Sequence, residues 1–118
     1  TDYTQRANKY MAKAINLAPN DAEANFLYGM MISEGGGFTE GQKYLQKAAK
    51  LGYLEAEQSL AQAELLADNH AGALSRLKAL QSKHPTHAQI AEQVRIVENG
   101  GYYIWNIKNN NIKVKPLQ

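Results

Sequence analysis

The residues best equipped for chemistry are three histidines, a short series of glutamates, four serines and a run of glycines. Their spacing decides what each can do. His84 and His87 flank Pro85 and Thr86. Metal-binding histidine pairs commonly stand four apart on one helix with an acidic companion. These two straddle a turn, no acid follows before Glu92, and the chain has no cysteine. His70, just after Asp68-Asn69, reads as a helix-start residue rather than a base. Glu55, Glu57 and Glu64 share one stretch, but Glu55 and Glu57 are two apart and diverge on a helix. Acid–base catalysis needs converging carboxylates, so this is read as a solvated face. Gly35-Gly36-Gly37-Phe38-Thr39 has no strand before it and no Gly-Lys-Ser/Thr after it, as a phosphate loop requires. It reads as a helix–helix turn, with Phe38 as a staple or an exposed anchor. No serine sits in a nucleophile elbow. The expectation is therefore no catalytic residue, no metal and no cofactor: not an enzyme.

The densest aromatic cluster is Tyr102, Tyr103 and Trp105. Tyr and Trp dominate interface hot spots, so one reading is a partner contact. The preferred reading is that they glue the tail onto the last helix through Ile90, Val94 and Val97. A third is the start of another domain, or pairing with a partner strand. The tail alternates apolar and polar residues around Asn109-Asn110-Asn111. A two-residue turn at Asn109-Asn110 predicts a β-hairpin pairing Ile107 with Ile112 and Trp105 with Val114. Tyr103, Trp105, Ile107, Ile112 and Val114 then share one face. Such a hairpin is marginal alone and needs a surface to pack on.

The bulk composition narrows the class. A chain of 118 residues with 44% apolar and 20% charged residues has the balance of one globular domain. Residues 102–118 hold Lys108, Lys113 and Lys115 and no acid, so of the net +2 the preceding body carries about −1. That argues against a nucleic-acid partner. No apolar run approaches the roughly 18 residues of a membrane span, no signal peptide is visible, and no direct membrane insertion is expected. The absence of cysteine excludes a disulfide framework and leaves the compartment open.

A period runs through the rest. Pro19, the Gly52-Tyr53 pair and Pro85 lie 34 and then 32 residues apart (19 to 53, 53 to 85). The small residues Ala7, Gly41 and Ala73 repeat that spacing, each followed four residues on by Met11, Leu45 or Leu77. Asn20 with Glu23, Thr39 with Gln42 and Thr86 with Gln89 are spaced as N-cap and partner. Gly35-Gly36-Gly37, Gly52 and Gly100-Gly101 mark helix stops, and Asp68-Asn69-His70 a turn. Apolar spacing near 3.6 predicts six helices at about 3–18, 21–34, 39–51, 54–67, 71–83 and 87–98. Stacked helix pairs bury for one another the apolar stripe no single pair can bury.

Ala7, Met11, Ala14 and Pro19, then Tyr28-Gly29, Leu45 and Ala48, Leu60-Ala61, and Ala73, Leu77 and Pro85 resemble the tetratricopeptide repeat over residues 3–98. Residues 44–57 are also similar to the SEL-like repeats, whose units join through a glycine turn. Asn25, Glu57 and Gln89 stand where the family has a bulky aromatic, and Glu64 where it has a large apolar residue. The resemblance implies an all-α fold, a right-handed superhelical array of antiparallel helix pairs over residues 1–101. Residues 102–118 form the hairpin or linker segment. The chain opens on what reads as the second helix of a pair, so either its partner lay upstream or this helix is a cap.

The resemblance further implies a protein–protein interaction module whose concave groove is lined by the first helix of each repeat. Carried over by position, the groove residues are Glu23, Phe26, Met30, Ser33 and Glu34, then Glu55, Gln58, Gln62, Leu65 and Leu66, then His87, Ile90 and Val94. For Phe26, Met30, Ile90 and Val94 the competing reading is plain core packing. Some members of the family grip a carboxylate with Lys, Arg and Asn on these faces. Here those positions carry Phe26, Leu27, Met30, Glu55, Ser59, His87 and Ala91, so no carboxylate clamp is expected. An extended or helical peptide with apolar anchors fits better. Two rivals remain: a self-assembling structural domain, a homo-oligomer joined through the hairpin, and an accessory domain of a larger protein.

Overall fold

Six helices and a two-stranded antiparallel ribbon make up the described chain: α1 (Asp2–Leu17), α2 (Ala22–Glu34), α3 (Phe38–Lys50), α4 (Leu54–Leu66), α5 (His70–Lys83), α6 (Ala88–Glu98), β1 (Tyr102–Asn106) and β2 (Asn111–Lys115). This computed structural model describes the backbone of residues 2–106 and 111–115, and side chains from Lys9 to Tyr103. Every helix lies within one residue of the position its apolar period predicts. The chain divides into two compact units, Thr1–Ala56 and Glu57–Gln118, the boundary falling in the first turn of α4.

In the first unit α1 packs on α2, and α2 on α3. The second crossing is tight because glycine occupies both sides of it. A Cβ on Gly29 would stand 2.9 Å from the Gly41 carbonyl oxygen and 3.0 Å from Leu45 Cγ, and one on Gly41 would stand 2.7 Å from the Gly29 carbonyl oxygen. Phe26, Leu45 and Ala48 are buried in this unit. Tyr28 meets Tyr44 edge-on at 4.6 Å, and the Phe26 ring lies 4.8 Å from that of Tyr53, aromatic geometries that add to simple burial.

The second unit has the larger core. Leu60, Ala61 and Leu65 of α4, Ala73, Leu77 and Leu80 of α5, Ile90, Val94, Ile96 and Val97 of α6, and Tyr103 of β1 are all buried. α5 packs on α6, and β1 on α6. Arg76 ties α5 to α4, its Nε 2.7 Å from Glu64 Oε1 and its Nη1 3.2 Å from Glu57 Oε1. Two of the positions where the repeat pattern asks for a large apolar or aromatic side chain are thus satisfied by a shared cation instead.

Four helices stop in the same way. After α2, α3, α4 and α6 a residue with positive φ (Gly36, Gly52, Asp68, Gly100) lets the next amide reach back across the last turn. Those amides are Gly37 to Ile32, Tyr53 to Ala48, Asn69 to Glu64 and Gly101 to Ile96, at 2.8–3.0 Å. This is the Schellman closure, which satisfies helix-end carbonyls. α5 ends instead before Pro85, which cannot continue a helix.

The starts differ from the sequence expectation. The side chains that cap are Asp21 on the Ala24 amide (2.8 Å), Asn69 on Gly72 (3.0 Å) and His87 on Ile90 (3.3 Å). α3 is preceded by Gly37 with no side-chain cap. Asn20, Thr39 and Thr86 are therefore not the caps. In two cases a neighbour one residue later holds a competent acceptor, and in the third the helix begins before Thr39. Phe38 stands 57% exposed on the first turn of α3, not tucked in as a staple.

The ribbon forms, but in a different register. Tyr103 pairs with Val114 and Trp105 with Ile112, and Asn106 with Asn111 closes the described ladder. The expected pairing of Trp105 with Val114 is off by two. A slip of two keeps each residue on its face, so alternation alone could not separate the registers. Ile107 and the turn at Asn109-Asn110 lie outside the described residues, as do the side chains of Trp105, Ile112 and Val114.

Candidate functional site

The residues expected to line a groove sort into two sets. Glu23 is exposed, and Met30, Ser33, Glu55, Gln62 and His87 are half-buried. Glu34 and Leu66 are exposed. Phe26, Gln58, Leu65, Ile90 and Val94 are core, each at most 5% exposed. The physical reason is the stripe they belong to. Ile90, Val94 and Val97 recur at helical spacing along α6, and Phe26 is the one buried aromatic of α2. Removing such side chains from water is worth about 1.5–3 kcal/mol each, so they turn inward.

In the first unit one perturbed ring is that of Tyr53. Tyr53 stacks on Phe26. Its hydroxyl is held above the ordinary tyrosine range by burial first, then by Glu55, Glu23 and Asp21. Glu55, Glu23 and Asp21 thus lie near enough to act electrostatically on the Tyr53 hydroxyl. Asn25 stands where the repeat pattern has an aromatic. It is fully buried, and its Nδ2 donates to the carbonyls of Pro19 (3.0 Å) and Asp21 (2.8 Å). It therefore ties the α1–α2 turn to α2.

In the second unit the convergent groups are amides. Gln58 Nε2 of α4 donates to Gln89 Oε1 (2.9 Å) and Gln93 Oε1 (3.0 Å) of α6. Gln58 and Gln93 are buried, while Gln89 and Gln62 are half-buried. Gln58 Oε1 and Gln93 Nε2 make no hydrogen bond among the described residues. Buried amides cost stability unless satisfied, so this cluster marks a place where the packing carries polar groups it does not need for folding.

The tail aromatics divide. Tyr103 is wholly buried and β1 lies on α6, so the Tyr103 ring is part of the core and not an exposed contact. Its hydroxyl has no hydrogen-bond partner among the described residues, and burial, then the nearby Glu64 carboxylate, drives its pKa far up. Tyr102 is half-buried, and the Trp105 side chain lies outside the described residues. The ribbon is anchored a second time where His70 Nε2 lies 3.2 Å from the Gly101 carbonyl oxygen.

His84 is exposed at the end of α5 and His87 is occupied as a cap. Among the described residues no three His, Asp or Glu side chains converge as a metal ion would need. Among them, too, no helix is long and apolar enough to cross a membrane. Sequence reasoning passed over Tyr53, Arg76 and Gln93. Tyr53 occupied a turn position of the period, and the other two find partners on neighbouring helices. The chain matches no protein-family model and no curated protein.

Proposed function

We propose that this chain is a protein-interaction module of the tetratricopeptide-like kind. In this reading it is a superhelical array whose first helices, α2, α4 and α6, present a face to a partner protein or peptide. The observation that supports this most is the recurrence of helix pairs closed by the same Schellman stop at the repeat period. Their first helices leave both polar and apolar side chains accessible, Glu23, Glu55, Leu27 and Leu66 among them. Glu23 and Glu55 with the Tyr53 hydroxyl offer acceptors and negative charge. The partner is then a segment with donor or basic side chains opposite the acids.

The test is cross-linking capture with the full chain, comparing wild type with Glu23→Lys plus Glu55→Lys. Both side chains are at least partly exposed, so the fold tolerates the change. The expected result is loss of the captured species at unchanged helical content. Identical capture by both proteins would end the reading.

A further inference from the structure

A second surface lies on a helix that plays no part in the face just proposed. Lys9, Tyr10, Ala12, Lys13 and Asn16 of α1 line a hollow of about 600 Å³, within the roughly 300–1,000 Å³ range of ligand sites. Lys9 and Lys13 are one helical turn apart and exposed, and neither has an ion-pair partner among the described residues. Like charges at that spacing repel mildly, and no carboxylate is among the described residues lining the hollow. Tyr10 and Leu17, seven apart and so on one side of the helix, are 74% and 80% exposed.

We propose that this α1 face docks an acidic segment of a partner protein that also carries an apolar anchor. Charge complementarity sets the sign: a carboxylate between Lys9 and Lys13 relieves their repulsion and gains two charge-assisted contacts. The Asn16 amide meets a backbone group, and the Tyr10–Leu17 ledge takes an apolar side chain. That ledge and amide distinguish a peptide from a small inorganic anion. Two lysines are too few for an anionic lipid surface, where recognition takes clusters of about four to eight basic residues.

The probe is a fluorescent short peptide alternating Glu and Leu, titrated with the full chain and read by anisotropy at low salt. Expected is saturable binding that weakens with added salt and falls about tenfold or more in Lys9→Glu plus Lys13→Glu. Lys9→Gln plus Lys13→Gln gives an intermediate loss, and circular dichroism checks that α1 stays helical in both. A Gln-for-Glu peptide binds weakly. No binding, equal binding by wild type and the reversal, or equal binding of the Gln peptide overturns the proposal. So does preference for phosphatidylserine vesicles over the peptide, or self-association in sedimentation that the reversal abolishes. Because the substitutions here are on α1 and those above on α2 and α4, either reading can fail while the other stands.

Discussion

At the scale of single residues, Tyr103 is the most exacting position. A fully buried phenol with no hydrogen-bond partner among the described residues costs the fold the desolvation of its hydroxyl, about 1–3 kcal/mol in comparable cases, while its ring fills core. Tyr103→Phe keeps the ring and removes the unsatisfied group, so it is expected to raise stability by about 1 kcal/mol in urea unfolding. The pH dependence follows from the same burial. The native hydroxyl stays protonated after the unfolded one has ionised near pH 10. Above that pH the folded state holds more protons than the unfolded state, so stability falls as pH rises. The wild type should therefore lose stability between about pH 9 and 11 more steeply than Tyr103→Phe. Parallel curves for the two proteins would show that the hydroxyl is not shielded.

At the scale of elements, two features carry expectations of opposite sign. Gly41 faces Gly29 across the α2–α3 crossing, where any Cβ meets backbone. Gly41→Ala gains about 1 kcal/mol of helix propensity, but the forced separation costs about 1–3 kcal/mol. The expected net is destabilisation, read as a lower midpoint in thermal unfolding. Asp68 is the one non-glycine at a Schellman stop, with φ of 66°. Asp68→Gly relieves that conformation and is expected to stabilise by about 0.5–1 kcal/mol; a loss of stability would mean the carboxylate holds something at the start of α5. The helices themselves were legible because apolar period and glycine stops agree. The caps were not, because Asn20-Asp21 and Thr86-His87 each offer adjacent acceptors and only three-dimensional placement chooses between them. The ribbon register was not, because a run of three asparagines supplies several turns and a two-residue slip preserves the faces.

At the scale of the whole molecule, what the sequence concealed was mostly the site. Glu57, Glu64 and Gln89 looked like departures from a repeat pattern. Their compensation by Arg76 and Gln58 is invisible until α4, α5 and α6 lie side by side, since those partners are 12 to 31 residues away. The groove residues split into core and surface for a similar reason: position along a helix says which side a residue is on, not how deep a neighbour covers it. The burial of Tyr103 also governs how the chain meets a protease. A cleaving enzyme must draw several extended residues into its cleft, and the Tyr102-Tyr103 bond cannot be drawn out while that ring is inside. Nicking there has to wait for the second unit to open, so at modest protease concentration its rate should track the opening equilibrium. Each Tyr103 or Asp68 variant that stabilises this unit should lengthen the life of that bond in proportion, making a simple digestion time-course a gauge of how often this end of the protein comes apart.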